Sequence, residues 1–207
     1  TIGVYGSRAA NFTVQNSDLI LNIGSRLDTR ITGGNPSSFG RNAKIVSVDI
    51  DKYELNKRRG LNNFLKINFD VKDFLNQFIL KKQYVCDDSW LKKCNNWRIN
   101  YPEVLKSWRT QSKLVNPYYF VEILSEVLNR KDIIIADDGA HLTWAVQAFK
   151  IKKGQRFFSA FGNSPMGYAL PASIGASVAK NKQRIICISG DGSLQINIQE
   201  LHTLSKN

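Results

Sequence analysis

Four residues near the end of the chain, Gly190-Asp191-Gly192-Ser193, have the residue types and the position that binding of a phosphate group requires. They follow an apolar run, residues 184–189, that predicts a buried strand, and they precede a segment, residues 194–204, that predicts a helix. Backbone N–H groups at a helix start point outward, and the helix dipole favours an anion there. The Asp191 carboxylate would repel a phosphate unless a cation such as Mg²⁺ bridged them. The turn therefore predicts a site for Mg²⁺ and a diphosphate; the alternative is an ordinary turn in which Asp191 caps the helix.

Two further loops carry polar residues at the ends of predicted strands. Residues 138–141 follow the strand predicted at 132–137, and residues 161–166 follow the short strand predicted at 156–159. Ligands of open α/β sheets bind at the carboxyl ends of the strands. We therefore expect these two loops and the turn at 190–193 to converge on one crevice.

Residues 163–176, the Gly-Asp-Gly-Ser turn and residues 197–201 together resemble the C-terminal domain of thiamine-diphosphate-dependent enzymes, in particular the acetolactate synthase (acetohydroxyacid synthase) branch. The resemblance covers nearly the whole chain. It implies that Asp191 is a ligand of Mg²⁺ and that three neighbours contact the diphosphate of thiamine diphosphate, namely Gly190, Gly192 and Ser193.

The same resemblance implies that parts of the active site lie outside this chain. In the family, a second metal ligand follows further along than Asn207, and the catalytic glutamate belongs to an N-terminal domain that nothing here matches. The resemblance therefore assigns no catalytic residue to this chain. We expect the chain to be an internal part of a larger enzyme and to be inactive alone.

The resemblance also assigns roles to the other two loops. Gly139, Ala140 and His141 occupy the place of a Gly-Gln-His segment that contacts the diphosphate, so the glutamine amide is absent here. A bulky apolar residue at the position of Met166 supports the bent conformation of the cofactor, which suits a flexible side chain. From the residues alone, His141 is also explained as a loop or capping residue, and Met166 as a core residue.

The first part of the sequence resembles the second half of the acetolactate synthase central domain, which binds FAD in the synthases and other nucleotides, or none, in relatives. Arginine forks grip a pyrophosphate, and a carboxylate at a strand end suits a ribose. The residues predicted to bind FAD or another adenine nucleotide are Gly24, Arg26, Asp28, Arg30, Asp49 and Asp70. Tyr5 stands where the synthases commonly have histidine. The alternative is a structural ion pair of Arg26 with Asp28 beside an empty pocket.

The activity implied by the resemblance is that of a thiamine-diphosphate- and Mg²⁺-dependent decarboxylase or carboligase. Its donor would be a 2-keto acid, pyruvate by default, and the cofactor would act as the electron sink. The family's active site uses a domain of the partner subunit, which implies a homodimer or tetramer. The alternative is a non-catalytic nucleotide-binding regulatory module on the same fold. A nicotinamide dehydrogenase is disfavoured, because no Gly-x-Gly-x-x-Gly follows a strand.

The composition narrows the partners and the location. The formal net charge is +12, but the basic residues are spread along the chain, with mild clusters at 57–59 and 150–153 that lack interleaved aromatics. We therefore expect no nucleic-acid partner. No apolar run is long enough for a bilayer, so we expect no membrane partner. The three cysteines, Cys86, Cys94 and Cys187, form no zinc or disulfide pattern, which favours a reducing, cytoplasmic location. Cys187 is predicted to be an inert residue of a buried strand.

Strands that alternate with helices predict an α/β fold with two doubly wound parallel-sheet units, both incomplete. The predicted first domain covers residues 1–82, and the predicted C-terminal domain covers residues 116–207. Between them, residues 83–115 predict a helical linker. Its Trp90 and Trp97 lie at helical spacing, as expected for side chains that pack on a domain.

Overall fold

The structure, a computed structural model, describes residues 1–57, 60–79, 87–111 and 113–206, and it divides into two compact units, Thr1–Pro102 and Glu103–Asn207. Each unit contains a three-stranded parallel sheet. The predicted α/β class with two parallel sheets is therefore confirmed. The predicted boundary at 82/83, Cys86 and most of the basic cluster at 57–59 lie outside the described residues, and the three predicted domain ranges stay predictions.

The first unit begins with a helix and continues with alternating strands and helices. Its elements are α1 (Arg8–Gln15), β1 (Leu19–Ile23), α2 (Thr29–Thr32), a 3-10 helix (Pro36–Ser38), β2 (Lys44–Asp49), α3 (Lys52–Asn56), β3 (Phe64–Asn68), α4 (Val71–Ile79) and α5 (Asp88–Asn100). The strands lie in the order β1-β2-β3, so that Ile20, Ile45 and Phe64 form one row across the sheet. This row packs with Leu27 and Phe39 in the core of the unit.

The opposite face of this sheet is less covered than the sequence suggested. Leu19 and Leu21 are 56% and 38% exposed, and Leu65, in the same row as Leu21, is 48% exposed. The apolar run at residues 18–24 predicts a buried strand, and this prediction is wrong for one face of β1. Successive side chains of a strand point to opposite faces, so an apolar run shows only that both faces are apolar, not that both are covered.

The tryptophans of α5 pack within the first unit, as predicted for a helix that rests on a domain. The ring of Trp97 lies 6.0 Å from that of Phe12 in α1 and 5.9 Å from that of Trp90, measured between centroids. The aromatic side chains of α5 therefore serve at least partly as packing surface.

The second unit places a strand of four apolar residues in the middle of the sheet. Its elements are a 3-10 helix (Lys106–Thr110), α6 (Pro117–Val127), β4 (Ile133–Ala136), α7 (Ala140–Ala148), β5 (Arg156–Phe158), α8 (Ala169–Ala179), β6 (Ile185–Ile188), α9 (Asp191–Ile196) and α10 (Glu200–Lys206). The strand order is β5-β4-β6, and all four residues of β4 are buried. Ile134 packs in a cluster with Val121 and Phe149, whereas Ile133 and Ile135 pack in another cluster. Both faces of β4 are thus covered, as in other parallel sheets.

Two predictions for the end of the chain are wrong. The helix predicted at 194–204 is two helices, α9 and α10, because the chain turns at Asn197, whose side-chain amide donates to the carbonyl of Gly167 over 2.7 Å. The strand that contains Cys187 lies at the edge of the described sheet, and Cys187 is exposed rather than buried. Pro171 lies in the first turn of α8, where proline is tolerated.

Two buried carboxylates fix the elements of the second unit to one another. Asp132, next to the start of β4, accepts a 3.0 Å hydrogen bond from Nε of Arg184, and this bond lowers the pKa of Asp132. Glu122 of α6 lies between Arg109 and Lys150, at 2.6 and 2.7 Å. Burial alone would raise the pKa of Glu122, but the hydrogen bonds from Lys150 and Arg109 outweigh it, so that the pKa is lowered. None of the described helices has the length and apolarity needed to cross a membrane.

Candidate functional site

Two helices of the second unit start at the same edge of the sheet. Ala136 at the end of β4 pairs with Ile188 at the end of β6, and helices α7 and α9 begin a few residues later. Their N-cap residues are Gly139 and Gly190, which have no side chain to satisfy the first N–H groups. Asp191 is the first residue of α9 and not its cap, so the alternative interpretation of Asp191 is wrong. This edge presents N–H groups and positive dipole ends, which favour an anion.

His141 lies between the two N-cap glycines. A methyl group placed on Gly139 would lie 2.7 Å from Cε1 of His141, and one placed on Gly190 would lie 3.1 Å from Nδ1. Gly139 also has a φ of +147°, a conformation that side chains rarely adopt. Glycines at both positions therefore allow the imidazole to pack directly against the two helix starts.

The Nε2 atom of His141 is buried and has no hydrogen-bond partner in the part of the chain that the structure describes. Leaving a buried polar atom unsatisfied costs about 1–3 kcal/mol, so such atoms call for an explanation. A bound ligand with an acceptor oxygen would satisfy a protonated Nε2. The interpretation of His141 as a capping residue is not supported, because Gly139 is the N-cap of α7 and no side chain caps that helix.

The third loop approaches the Gly-Asp-Gly-Ser turn through Met166. A methyl group placed on Gly192 would lie 3.3 Å from Cε of Met166, so the end of this side chain lies against the turn. Met166 is 49% exposed, and its alternative interpretation as a core residue is therefore wrong. A large flexible apolar side chain that remains exposed beside an anion-binding turn is well suited to contact a bound ligand.

Asp137, immediately after β4, connects the three loops and is fully buried. Its Oδ1 accepts hydrogen bonds from the N–H groups of Asp138 and Gly167, both at 2.9 Å, and its Oδ2 accepts one from Ala169, also at 2.9 Å. Its own N–H donates to the carbonyl of Ile188 at 2.8 Å. From the sequence, Asp137 is predicted only as the last residue of a strand, so its role in connecting the loops is not predicted. The available signal was a carboxylate directly after a buried apolar strand and before a glycine loop.

Further hydrogen bonds close the arrangement. The hydroxyl of Ser193, which is buried, donates to the carbonyl of Asp138 over 3.0 Å, and Asn197 holds the carbonyl of Gly167. The predicted convergence of the loops at 138–141, 161–166 and 190–193 is therefore confirmed. The hydroxyl of Ser193 is engaged within the protein, which leaves its backbone N–H for a ligand.

Asp191 is the candidate metal ligand at this edge. Its carboxylate is exposed and makes no hydrogen bond or ion pair with the residues that the structure describes. Those residues contain no group of three His, Cys, Asp or Glu side chains that would hold a metal alone. Mg²⁺ typically binds through one or two carboxylates together with phosphate oxygens and waters, so a single carboxylate beside an anion site fits this ion.

The first unit also gathers its predicted site residues at the carboxyl edge of its sheet, but most of their carboxylates have local partners. Asp28 caps α2 by accepting the N–H of Arg30 at 3.0 Å, and Asp70 accepts the N–H of Lys72 at 2.8 Å at the start of α4. Asp49 accepts the N–H of Asp51 at 2.9 Å. These contacts are those of helix caps and turns and do not by themselves indicate a ligand.

The other predicted residues of the first unit are placed at the same edge. Gly24 follows β1 with a φ of +60°, Arg26 is exposed, and the guanidinium of Arg30 lies 6.0 Å from the ring centroid of Tyr5. No ion pair joins Arg26 to Asp28 within residues 1–57, so that alternative is wrong; the Asp28 carboxylate is turned to the start of α2 instead. A cavity of about 300 Å³ is lined by residues of α1 and α2, and none of the six predicted residues lines it.

The fold and the site define an α/β protein with a candidate anion-binding edge in its second unit, and comparison with known proteins identifies the family. Residues 1–78 match the family model "Thiamine pyrophosphate enzyme, central domain", and residues 137–207 match "Thiamine pyrophosphate enzyme, C-terminal TPP binding domain". The chain therefore belongs to the thiamine pyrophosphate enzyme family.

The similar curated proteins are acetolactate synthases. The acetolactate synthase large subunit of Cyanidium caldarium is 34% identical over 212 residues, which cover 99% of this chain and 35% of the relative. Acetolactate synthase 2, chloroplastic, of Brassica napus is 33% identical over 98% of this chain and 32% of its own length. The large subunit of Porphyra purpurea is 34% identical over 99% and 34%. The chain thus spans about a third of the length of the curated relatives it matches.

Proposed function

We propose that the full-length protein is a thiamine-diphosphate- and Mg²⁺-dependent enzyme of acetolactate synthase type, with a 2-keto acid as substrate and pyruvate as donor. The observation that carries the proposal is the buried Nε2 of His141, which has no hydrogen-bond partner among the described residues and lies where two helices start. This atom lies in the region that matches the cofactor-binding domain of the family. A diphosphate oxygen supplies the acceptor that a protonated Nε2 lacks.

The residues of this chain fit the diphosphate end of the cofactor. In this proposal, the N–H groups at the starts of α7 and α9 and the imidazole of His141 bind phosphate oxygens. Asp191 binds Mg²⁺, and Met166 lies against the organic part of the cofactor. Thiamine diphosphate, when bound, supplies the electron sink for decarboxylation, while the protein positions it and excludes water.

Ala140 occupies the position at which the resembling synthases carry glutamine. An alanine side chain offers no hydrogen bond, so in this proposal the loop contributes only its backbone and His141 to the diphosphate. The Nε2 of His141 therefore carries a larger share of the side-chain contacts than it would beside a glutamine.

For the first unit we propose FAD or another adenine nucleotide as ligand. Asp28 and Asp70 already cap helices, whereas Arg26 offers an exposed fork of donors at this edge. A non-catalytic regulatory module on the same fold is not favoured, because the similar proteins that match over the whole chain are acetolactate synthases.

Three further parts of the proposal concern the full-length protein. It would form a homodimer or tetramer with the active site at the subunit interface, as the family resemblance implies. That the protein has no nucleic-acid partner and no membrane partner is a prediction from the sequence. A cytoplasmic location also remains a prediction from composition, and several similar proteins carry the word "chloroplastic" in their names.

A titration of the full-length protein with thiamine diphosphate, with and without Mg²⁺, tests the proposal through tryptophan fluorescence or calorimetry. We expect saturable binding that requires Mg²⁺ and that Asp191→Asn weakens by about 100-fold or more, since even residues behind a metal ligand contribute 10–100-fold. Asp51→Asn is the matched control, because Asp51 caps α3 and asparagine caps equally well. Absence of binding to the wild-type protein, or equal binding by Asp191→Asn, would refute the proposal.

A further inference from the structure

The carboxylate of Asp137 is the most deeply buried charged group at the candidate site. It is 0% exposed, and within the described residues no lysine or arginine pairs with it. Taking a carboxylate out of water is costly unless hydrogen bonds replace the lost hydration. Here three backbone N–H groups supply them, at 2.9 Å each, which are charge-assisted and therefore strong bonds.

Two of these bonds fix the segment that carries Met166. The N–H groups of Gly167 and Ala169 both donate to Asp137, one to each carboxylate oxygen. Helix α8 starts at Ala169, and its own N-cap residue, Tyr168, makes no side-chain cap. Asp137 therefore accepts the first N–H group of α8, as an N-cap carboxylate does, although it follows a strand 32 residues before Ala169.

The same residue is tied to both helix starts of the site. Its carboxylate also accepts the N–H of Asp138, which leads into the loop of Gly139 and His141. The hydroxyl of Ser189, directly before Gly190, donates to Oδ2 of Asp137 over 3.5 Å, and the backbone N–H of Asp137 binds the carbonyl of Ile188. One residue thus determines where the Met166 segment lies relative to the loops that begin α7 and α9.

We propose that Asp137 is a positioning residue: it holds Met166 and the two helix starts in the geometry that binds the cofactor, without touching the cofactor itself. The identity of the ligand rests on the proposed function, whereas the role of Asp137 in holding the loops does not. Loss of its acceptors releases Gly167 and Ala169, lets Met166 move away from Gly192, and weakens cofactor binding more than it weakens the fold.

The test compares Asp137→Asn with Asp132→Asn in the full-length protein. The two carboxylates flank the two ends of β4, are both buried, and are replaced by a side chain of the same shape. Asp132 binds Arg184 and the N–H of Asn129, away from the three loops, which makes it a control for general destabilisation. The readouts are thermal stability, hydrogen exchange of the Gly167 and Ala169 amides, and the affinity for thiamine diphosphate with Mg²⁺.

We expect Asp137→Asn to lower the affinity about 10–100-fold, as for other residues that orient a binding group, and to speed exchange at Gly167 and Ala169. Asp132→Asn is expected to lower thermal stability but to change the affinity by less than about threefold and to leave both amides protected. Unchanged affinity and exchange in Asp137→Asn would overturn the proposal. So would an equal loss of affinity in both variants, since the effect would then follow stability alone.

The experiment also decides the role of Asp137 if the wild-type protein does not bind the cofactor or if Asp137→Asn does not fold. If the wild-type protein binds no thiamine diphosphate, the proposed function fails, but exchange at Gly167 and Ala169 still decides whether Asp137 holds the loop. If Asp137→Asn does not fold, Asp137→Glu takes its place, because it keeps both acceptors and shifts them by one methylene. We then expect about a tenfold loss of affinity, and wild-type affinity in Asp137→Glu would overturn the proposal.

Discussion

The two units place acidic residues at the same edge of similar parallel sheets, yet the carboxylates have different surroundings. In the first unit, Asp28 and Asp70 bind N–H groups two residues further along the chain. In the second unit, Asp137 binds N–H groups up to 32 residues away, and Asp191 is left without a partner among the described residues. A carboxylate that satisfies its own helix is explained by local structure, whereas Asp137 fixes distant segments of the chain and the exposed Asp191 is available for a ligand.

The surroundings of the glycines also differ between the two units. In the second unit, the glycines at 139, 167, 190 and 192 all have neighbouring atoms where a side chain would lie, so their lack of a side chain shapes the site. In the first unit, Gly3 packs closely against the backbone of Arg30, but Gly24, which follows β1, meets only Val71 at 3.7 Å, and Gly33 faces open space. Close packing around the glycines that follow strands therefore distinguishes the candidate cofactor edge, with Gly139 and Gly190, from the edge of the first unit.

The largest effect that tests this contrast is expected from Gly167→Ala, with Gly33→Ala as its control. The two glycines have nearly the same φ, +84° and +82°. A methyl group on Gly167 would lie 2.8 Å from Cγ2 of Ile196 and 2.9 Å from Nδ2 of Asn197, whereas nothing lies within 4 Å at Gly33. We expect a loss of about 2–4 kcal/mol in the free energy of unfolding for Gly167→Ala and about 1–2 kcal/mol for Gly33→Ala.

Chemical denaturation of the full-length variants measures both losses under the same conditions. Equal losses would show that only the backbone conformation matters and that packing around Gly167 is loose. The thiamine diphosphate affinity gives a second comparison, because only the alanine at 167 disturbs the carbonyl that Asn197 holds.

The sequence predicted the loops of the candidate site better than the residues that hold those loops in place. The turn at 190–193, His141 and Met166 could be found because their residue types and order follow a family pattern, and the strand ends bring their loops to one edge. Asp137 and Asn197 act through hydrogen bonds to residues 30 or more positions away, so a local pattern shows at most the position of Asp137 and not the partners of either residue. The break between α9 and α10 was missed for the same reason, since a tertiary bond of Asn197 competes with helical propensity.

The sequence was also a poor guide to exposure at sheet edges. Leu21 of β1 and Cys187 of β6 lie in apolar runs that predict burial, but each is exposed in its unit. The number of strands that flank a given strand depends on the whole sheet and not on its own residues. By contrast β4, which has a neighbour on each side, is buried as its sequence predicts.

Acid is expected to have the next largest effect and to act mainly on the second unit. The pKa values of Glu122 and Asp132 are lowered in the folded state, so their stabilisation is present above the ordinary carboxyl pKa of about 4 and is lost as the pH falls through the lower, folded values. Their partners Arg109, Lys150 and Arg184 are 41–65% exposed, which screens the interactions. We expect the two carboxylates together to contribute about 1–2 kcal/mol at neutral pH.

The double variant Glu122→Gln, Asp132→Asn measures this contribution. Its free energy of unfolding should be lower than that of the wild-type protein at pH 7, and the two curves should approach each other below about pH 4. Curves that stay parallel down to pH 3 would show that neither carboxylate is responsible. The cap residue Asp87 of the first unit also has a lowered pKa, because it accepts the N–H of Ser89, but it is exposed and should contribute little.

His141→Leu is expected to change two properties in opposite directions. Leucine has a similar volume and removes the buried Nε2 that lacks a partner, so the unliganded protein should keep its stability or gain slightly. The affinity for thiamine diphosphate should fall about tenfold, which corresponds to about 1.4 kcal/mol, because one hydrogen bond to the diphosphate is lost. Thermal denaturation and a titration with the cofactor give the two values. A loss of stability with unchanged affinity would identify His141 as a packing residue only.

The smallest effect concerns Asp70, and it separates a cap from a nucleotide ligand. If Asp70 serves only the start of α4, Asp70→Ala should lower the free energy of unfolding by about 1 kcal/mol, whereas Asp70→Asn should change it by a few tenths at most, since asparagine also caps helices. Neither variant should alter the binding of FAD or ADP by the full-length protein. If Asp70 also binds a ribose, Asp70→Asn should weaken nucleotide binding while leaving stability intact. Such a result would show that Asp70 contacts a ligand as well as its own helix. The carboxyl edge of the first unit would then resemble the candidate cofactor edge of the second.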